Sequence, residues 1–155
     1  LVVWIVDPEH AGGVAAIAKT QLRACLFHEV HHLVRDSTIA RDSMLDTAVT
    51  GGMATVFERD FAQAAAPWGW YPVDVGRWLV EIRRLPNTTD RRPWLFRPPD
   101  GRRWILHKVG AYLVDRAGRT SGKSAADLVV ATTDSVITLA RSAEDSVGDR
   151  PLHDD

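Results

Sequence analysis

The run His28-Glu29-Val30-His31-His32 (H-E-x-x-H) constrains this chain more than any other feature. It acts as a unit only on an α-helix, where residues four apart lie on one face, one turn apart. His28 and His32 then present two imidazoles that can bind one Zn²⁺, and Glu29, one step round the helix, can reach a water activated there. The chemistry this arrangement specifies is metal-assisted hydrolysis, most often of a peptide bond. The flanking residues are helix-compatible on both sides. Apolar residues recur at Val14, Ile17, Leu22, Cys25, Leu26, Val30, Leu33 and Val34, which predicts two helical pieces or one long helix from Val14 to Arg35.

At 155 residues the chain is long enough for one domain with a sizeable core. Apolar content of 45% and charged content of 25% are those of an ordinary globular protein. A net charge of -1 gives no reason to expect a nucleic acid or a membrane surface as partner. There is no basic recognition helix. A single cysteine, Cys25, excludes an internal disulfide framework, and its place on an apolar run fits a buried thiol. The longest apolar run is too short to span a bilayer and lacks the marks of a signal peptide, so the cytoplasm is the expected compartment.

That run, Leu1 to Val6, is apolar and β-branched without alternation and reads as a buried strand ended by Asp7-Pro8. The chain begins inside it without an initiator Met, as expected if an N-terminal part is missing. Ser43 with Asp46 resembles a capping box opening a helix that buries Met44, Leu45, Ala48, Val49, Met53, Val56, Phe57 and Phe61. Val75, Trp78, Leu79, Ile82 and Leu85 form another stripe, closed by Pro86. Asn87 to Gly101 reads as a solvated loop. Trp104 to Arg116, Ala125 to Ala131 (capped by Ser124) and Asp134 to Arg141 read as helices. The expected fold is therefore mainly α (α+β), a single domain over residues 1–142 with an N-terminal strand packed by the motif helix. Residues 143–155 are expected to be a flexible tail.

A catalytic zinc takes three protein ligands and keeps a fourth position open. In one large class of H-E-x-x-H enzymes the third is a Glu on the following helix. Eighteen residues lie between His32 and the corresponding place, which holds Gly51, a residue that cannot bind metal through a side chain. Glu58, seven residues on, returns to nearly the same face but about 10 Å further along the axis. It is the candidate third ligand beside His28 and His32.

Most of the chain, roughly residues 1 to 140, also resembles the DUF2268 family of zinc-dependent proteases, of the gluzincin type. The similar segments are His28–Arg35, Gly52–Phe61, Pro67-Trp68, Trp94-Leu95-Phe96, Asp100–Ile105, Lys108-Val109-Gly110 and Tyr112–Asp115. The resemblance implies a helical zincin-like domain, Zn²⁺ as cofactor, a peptide or protein substrate and Glu29 as general base. The chain departs from the family pattern twice. Gly51-Gly52-Met53-Ala54 stands where the family has Glu-Gly-Leu-Ala, and Leu106-His107 where it has Gly-Tyr. In related zinc peptidases a Tyr or His opposite the metal donates to the developing oxyanion. His107 is thus a candidate catalytic residue, or a group that itself completes the zinc site, or a packed helix histidine. His31, one step off the zinc face, is expected beside the site or at the surface. His10 and His153 are expected to face solvent, and the six tryptophans to pack in the core.

Overall fold

Helix α3 (Met44–Ala62) organises the molecule. Its start is fixed locally. The Ser43 hydroxyl accepts from the Asp46 N–H at 3.1 Å while Asp46 accepts from the Ser43 N–H at 2.8 Å, the reciprocal pairing of a capping box. From Thr47 to Val56 every residue is buried, so the helix is surrounded rather than amphipathic. The computed structural model describes residues 9, 12–63 and 66–145, the last three by backbone alone.

Before α3 the chain forms one continuous helical run: α1 (Gly13–Ile17), a π-helical turn (Ala18–Leu22) and α2 (Arg23–Asp36), which carries the histidine motif. After it come a 3₁₀ turn (Pro67–Gly69), α4 (Val75–Arg83), the short α5 (Arg92–Leu95), α6 (Ile105–Ser121) and α7 (Thr133–Asp145). Helix α6 ends at Gly122, whose positive φ of 70° closes the helix with an N–H bond to the Gly118 carbonyl. Helix α3 is packed between α2 and α6, and α7 covers α6. Met44, Val49, Met53, Ile82, Ile105, Leu106, Val109, Val114 and Val136 form the centre of the core.

The α3–α6 crossing needs two glycines. A Cβ on Gly52 would lie 2.0 Å from the carbonyl carbon of Gly110, and one on Gly110 would lie 1.8 Å from the Ala48 carbonyl oxygen. Both clashes are with backbone, which cannot turn aside. Arg59 then locks the pair with a bidentate bridge to Asp115 at 2.8 and 3.0 Å, and the Tyr71 hydroxyl donates to the same carboxylate. This crossing sets where His107, on the first turn of α6, meets Gly51.

The fold is mainly helical, as expected, and no strand occurs among the described residues. The strand expected at Leu1–Val6 lies outside them. The helix expected from Ala125 to Ala131 is instead a series of turns. Ser124 and Asp127 form the anticipated cap, but the following bonds mix i+3 and i+4 partners. The buried Arg35 guanidinium takes the Val129 and Ala131 carbonyls, each at 2.8 Å, and so binds the end of the segment to α2. The loop expected over Asn87 to Gly101 contains the short α5. No helix among the described residues is long and apolar enough to cross a membrane.

Candidate functional site

Helix α2 turns an unusual face inward. His31 and Arg35 are buried, and His28 and His32 are partly so, because residues 28, 31, 32 and 35 share the side that meets α3. The expected apolar stripe falls largely on the other side: Leu26, Val30, Leu33 and Val34 are each 44–53% exposed. Polar partners hold the inner face. His31 Nε2 lies 3.4 Å from the Ala125 carbonyl, and Arg35 Nε donates to the Thr50 hydroxyl at 3.1 Å.

His28 and His32 open into a cleft of about 610 Å³. Its polar lining includes Glu29, Thr47, Glu58 and His107, and its apolar wall Leu33, Trp68, Leu95, Phe96 and Trp104. The two Nε2 atoms of His28 and His32 face each other at 3.1 Å. On its other side, His28 Nδ1 meets Glu58 Oε2 at 3.0 Å. Glu58 is itself buried, and the same oxygen accepts from the Trp68 indole N–H at 3.1 Å. A carboxylate accepts only, so the proton in the His28–Glu58 contact sits on Nδ1. In neutral His28 this leaves Nε2 bare, and His32 Nε2–H becomes the donor across the 3.1 Å contact.

The electrostatics keep two of these rings uncharged. Burial, then the neighbouring His28, lowers His32 from its ordinary value to about 3. His107 is lowered to about 4, again by burial first and His28 second, with the Leu95 backbone opposing. Burial also lowers His31. Near pH 7, His32 and His107 are therefore neutral, the state in which an imidazole binds a metal.

The donor set can be compared with what zinc asks for. Nitrogen donors at about 2.0–2.1 Å around a tetrahedral ion stand about 3.4 Å apart. The His28 and His32 nitrogens at 3.1 Å are close to that spacing. Two donors therefore fit. Among the described residues, no three His, Cys, Asp or Glu side chains form a group able to hold an ion. The candidate residues are nevertheless brought to one cleft. Glu58 meets His28 on Nδ1, the nitrogen turned away from His32, and the His107 ring lies 6.1 Å from that of His28. Gly51 faces His107: a Cβ there would lie 3.3 Å from Cδ2 of the imidazole.

Other expectations meet the structure less directly. His31 lies under the site, fully packed, rather than at the surface. Cys25 is half-buried at the cleft. Trp78 and Trp94 pack on the core, whereas Trp68 and Trp104 wall the cleft with ring centroids 5.9 Å apart. His10, His153 and Trp4 lie outside the described residues. The wall formed by Leu95, Phe96 and the two tryptophans had no signal in the motif itself; the tryptophans flanking the Pro- and Gly-rich segments were its nearest trace. No family model matches the sequence, and no curated protein and no solved structure is significantly similar to it.

Proposed function

We propose that this protein is a zinc-dependent metallopeptidase of zincin-like helical type, hydrolysing a peptide or protein substrate in the α2–α6 cleft. One observation carries the reading: the Nε2 atoms of His28 and His32 meet at 3.1 Å inside the cleft while a buried carboxylate holds the far nitrogen of His28. A histidine that binds metal commonly gives its other N–H to a carboxylate, which fixes the ring and its tautomer. Glu58, on the far nitrogen of His28, fits that positioning role better than a place on the ion.

His28 and His32 would hold the zinc. When bound, zinc acts as a Lewis acid and makes water nucleophilic near neutral pH. Glu29 stands one position round the helix from His28, exposed at the cleft, where it can take a proton from water and pass it to the leaving amine. Leu33, Trp68, Leu95, Phe96 and Trp104 offer an apolar surface for a substrate side chain and exclude water from that side.

The test combines zinc content with hydrolysis of a mixed fluorogenic peptide library. Glu29→Gln should keep zinc and lose at least about a hundredfold in turnover, within the range for a general base. His28→Ala should lose both zinc and turnover. Wild-type turnover in Glu29→Gln would overturn the reading. A second reading rests on Gly51 and on the missing three-residue metal group among the described residues. On it, the chain is a catalytically impaired relative that binds peptide or partner in the same cleft, and the library is bound but not cut.

A further inference from the structure

We propose that His107 is the third metal donor, completing a three-histidine site with His28 and His32 in the space that Gly51 leaves open. This rests on the metal reading of the same cleft. Three observations lead to it.

The first is a matter of volume. A Cβ at position 51 would already press on the His107 ring, at 3.3 Å from Cδ2 and 3.6 Å from Nε2. A longer side chain there would need the volume that the imidazole fills. Position 51 and position 107 therefore compete for one place beside His28, and in this chain the imidazole occupies it. The glycine that removes a donor from α3 is the same glycine that admits one from α6.

The second is registration. The Gly52–Gly110 crossing fixes α6 against α3 at backbone contact, so His107, three residues before Gly110, is carried to Gly51 by a rigid joint. Two imidazoles sharing a tetrahedral ion through their nitrogens stand with ring centroids about 5 Å apart, given metal–nitrogen distances of about 2.0–2.1 Å. His28 and His32 stand at 4.8 Å and His28 and His107 at 6.1 Å. His107 must close by about 1 Å, a side-chain adjustment at that bond length. Its Nδ1 is buried without a well-formed hydrogen bond to hold the ring where it is.

The third is elimination within the cleft. Glu58 spends the same oxygen on His28 Nδ1 and on the Trp68 indole. Turning that oxygen to the ion would strip both groups of their partner. His107 gives up less: its Nδ1 has no well-formed bond, and the Leu95 backbone is the polar group acting on the ring.

The experiment measures zinc affinity of the metal-free full chain by competition with a chromophoric chelator, and the visible absorption of the cobalt(II) form. His107→Ala and His107→Gln should each weaken zinc by about a hundredfold or more, above the range of an outer partner, and should alter the cobalt bands. Circular dichroism checks the fold, and the glutamine variant carries the test if the alanine variant does not fold. Glu58→Gln should weaken zinc less, by about 10–100-fold. If folded His107 variants keep wild-type affinity and cobalt bands while His28→Ala loses both, His107 is not a donor and the peptidase reading survives. That outcome leaves His107 as a group facing substrate. A wild-type chain with no zinc affinity overturns both.

Discussion

Helices α2 and α3 lie side by side and are built on opposite plans. Through its middle, α3 buries every side chain, most of them small or apolar, and meets its neighbour at glycine. Helix α2 buries its polar residues, His31 and Arg35, and exposes valines and leucines. The difference separates two tasks. Helix α3 supplies packing and leaves almost no freedom in how α6 crosses it. Helix α2 presents chemistry, and its inward side chains are those whose hydrogen bonds fix direction: His31 to Ala125, Arg35 to Thr50, Val129 and Ala131. A polar group buried this way is costly unless it is paired, so the pairing also specifies how the motif helix is turned.

The strongest challenge to the contrast is a methyl group at the α3–α6 joint. Gly110→Ala should force the helices apart against backbone atoms and cost about 3 kcal/mol or more, on the order of 10 °C in melting temperature. An unchanged thermal melt would mean that the joint is not rigid and does not register His107 against Gly51. Next in size is the polar anchor of α2. Arg35→Met keeps the bulk but leaves the Val129 and Ala131 carbonyls without their donor. It should cost about 2–3 kcal/mol. Hydrogen exchange should rise first in residues 124–132, and uniform protection there would deny the anchor its directing role.

Acid should separate the two helices further. His32 on α2 has a folded pKa lowered to about 3, below the ordinary 6.5, whereas α3 contains no histidine. The unfolded chain therefore takes up the proton first. The stabilising contribution of the neutral ring is complete above about pH 6.5 and falls as the pH drops towards the folded value. For the metal-free protein this amounts to about 1 kcal/mol between pH 7 and 5.5 from His32 alone. Urea midpoints across that range should fall less in His32→Gln than in wild type; parallel slopes would contradict it. The smallest effect belongs to the outer face of α2. Val34→Ser, at a site 46% exposed, should change stability by no more than about 0.5 kcal/mol. A larger loss in a urea titration would show that this face is covered in solution.

Local signals were legible wherever a residue acts on its own neighbours in sequence. The Ser43–Asp46 box placed the start of α3, and apolar spacing found α4, α6 and α7 to within a few residues. The same spacing misled on α2. Val30, Leu33 and Val34 form a proper helical stripe, yet the tertiary neighbours reward the opposite face, where Arg35 finds three acceptors. Residues 125–131 depart from a helix as their bonds turn to i+3 partners, and the Val129 and Ala131 carbonyls at the segment's end are held from α2.

By itself, the sequence determined that a helix brings His28 and His32 to one face with Glu29 beside them, because that follows from 3.6 residues per turn. It also determined that Gly51 offers no donor, because glycine has no side chain. Only the tertiary structure decided that Glu58 meets the far nitrogen of His28, that Trp68 and Trp104 wall the cleft, and that His107 stands over Gly51. The first depends on how α2 packs on α3; the last depends on how closely α6 approaches α3. That distance is set by Gly52 and Gly110, 58 residues apart in the chain and in contact across the crossing.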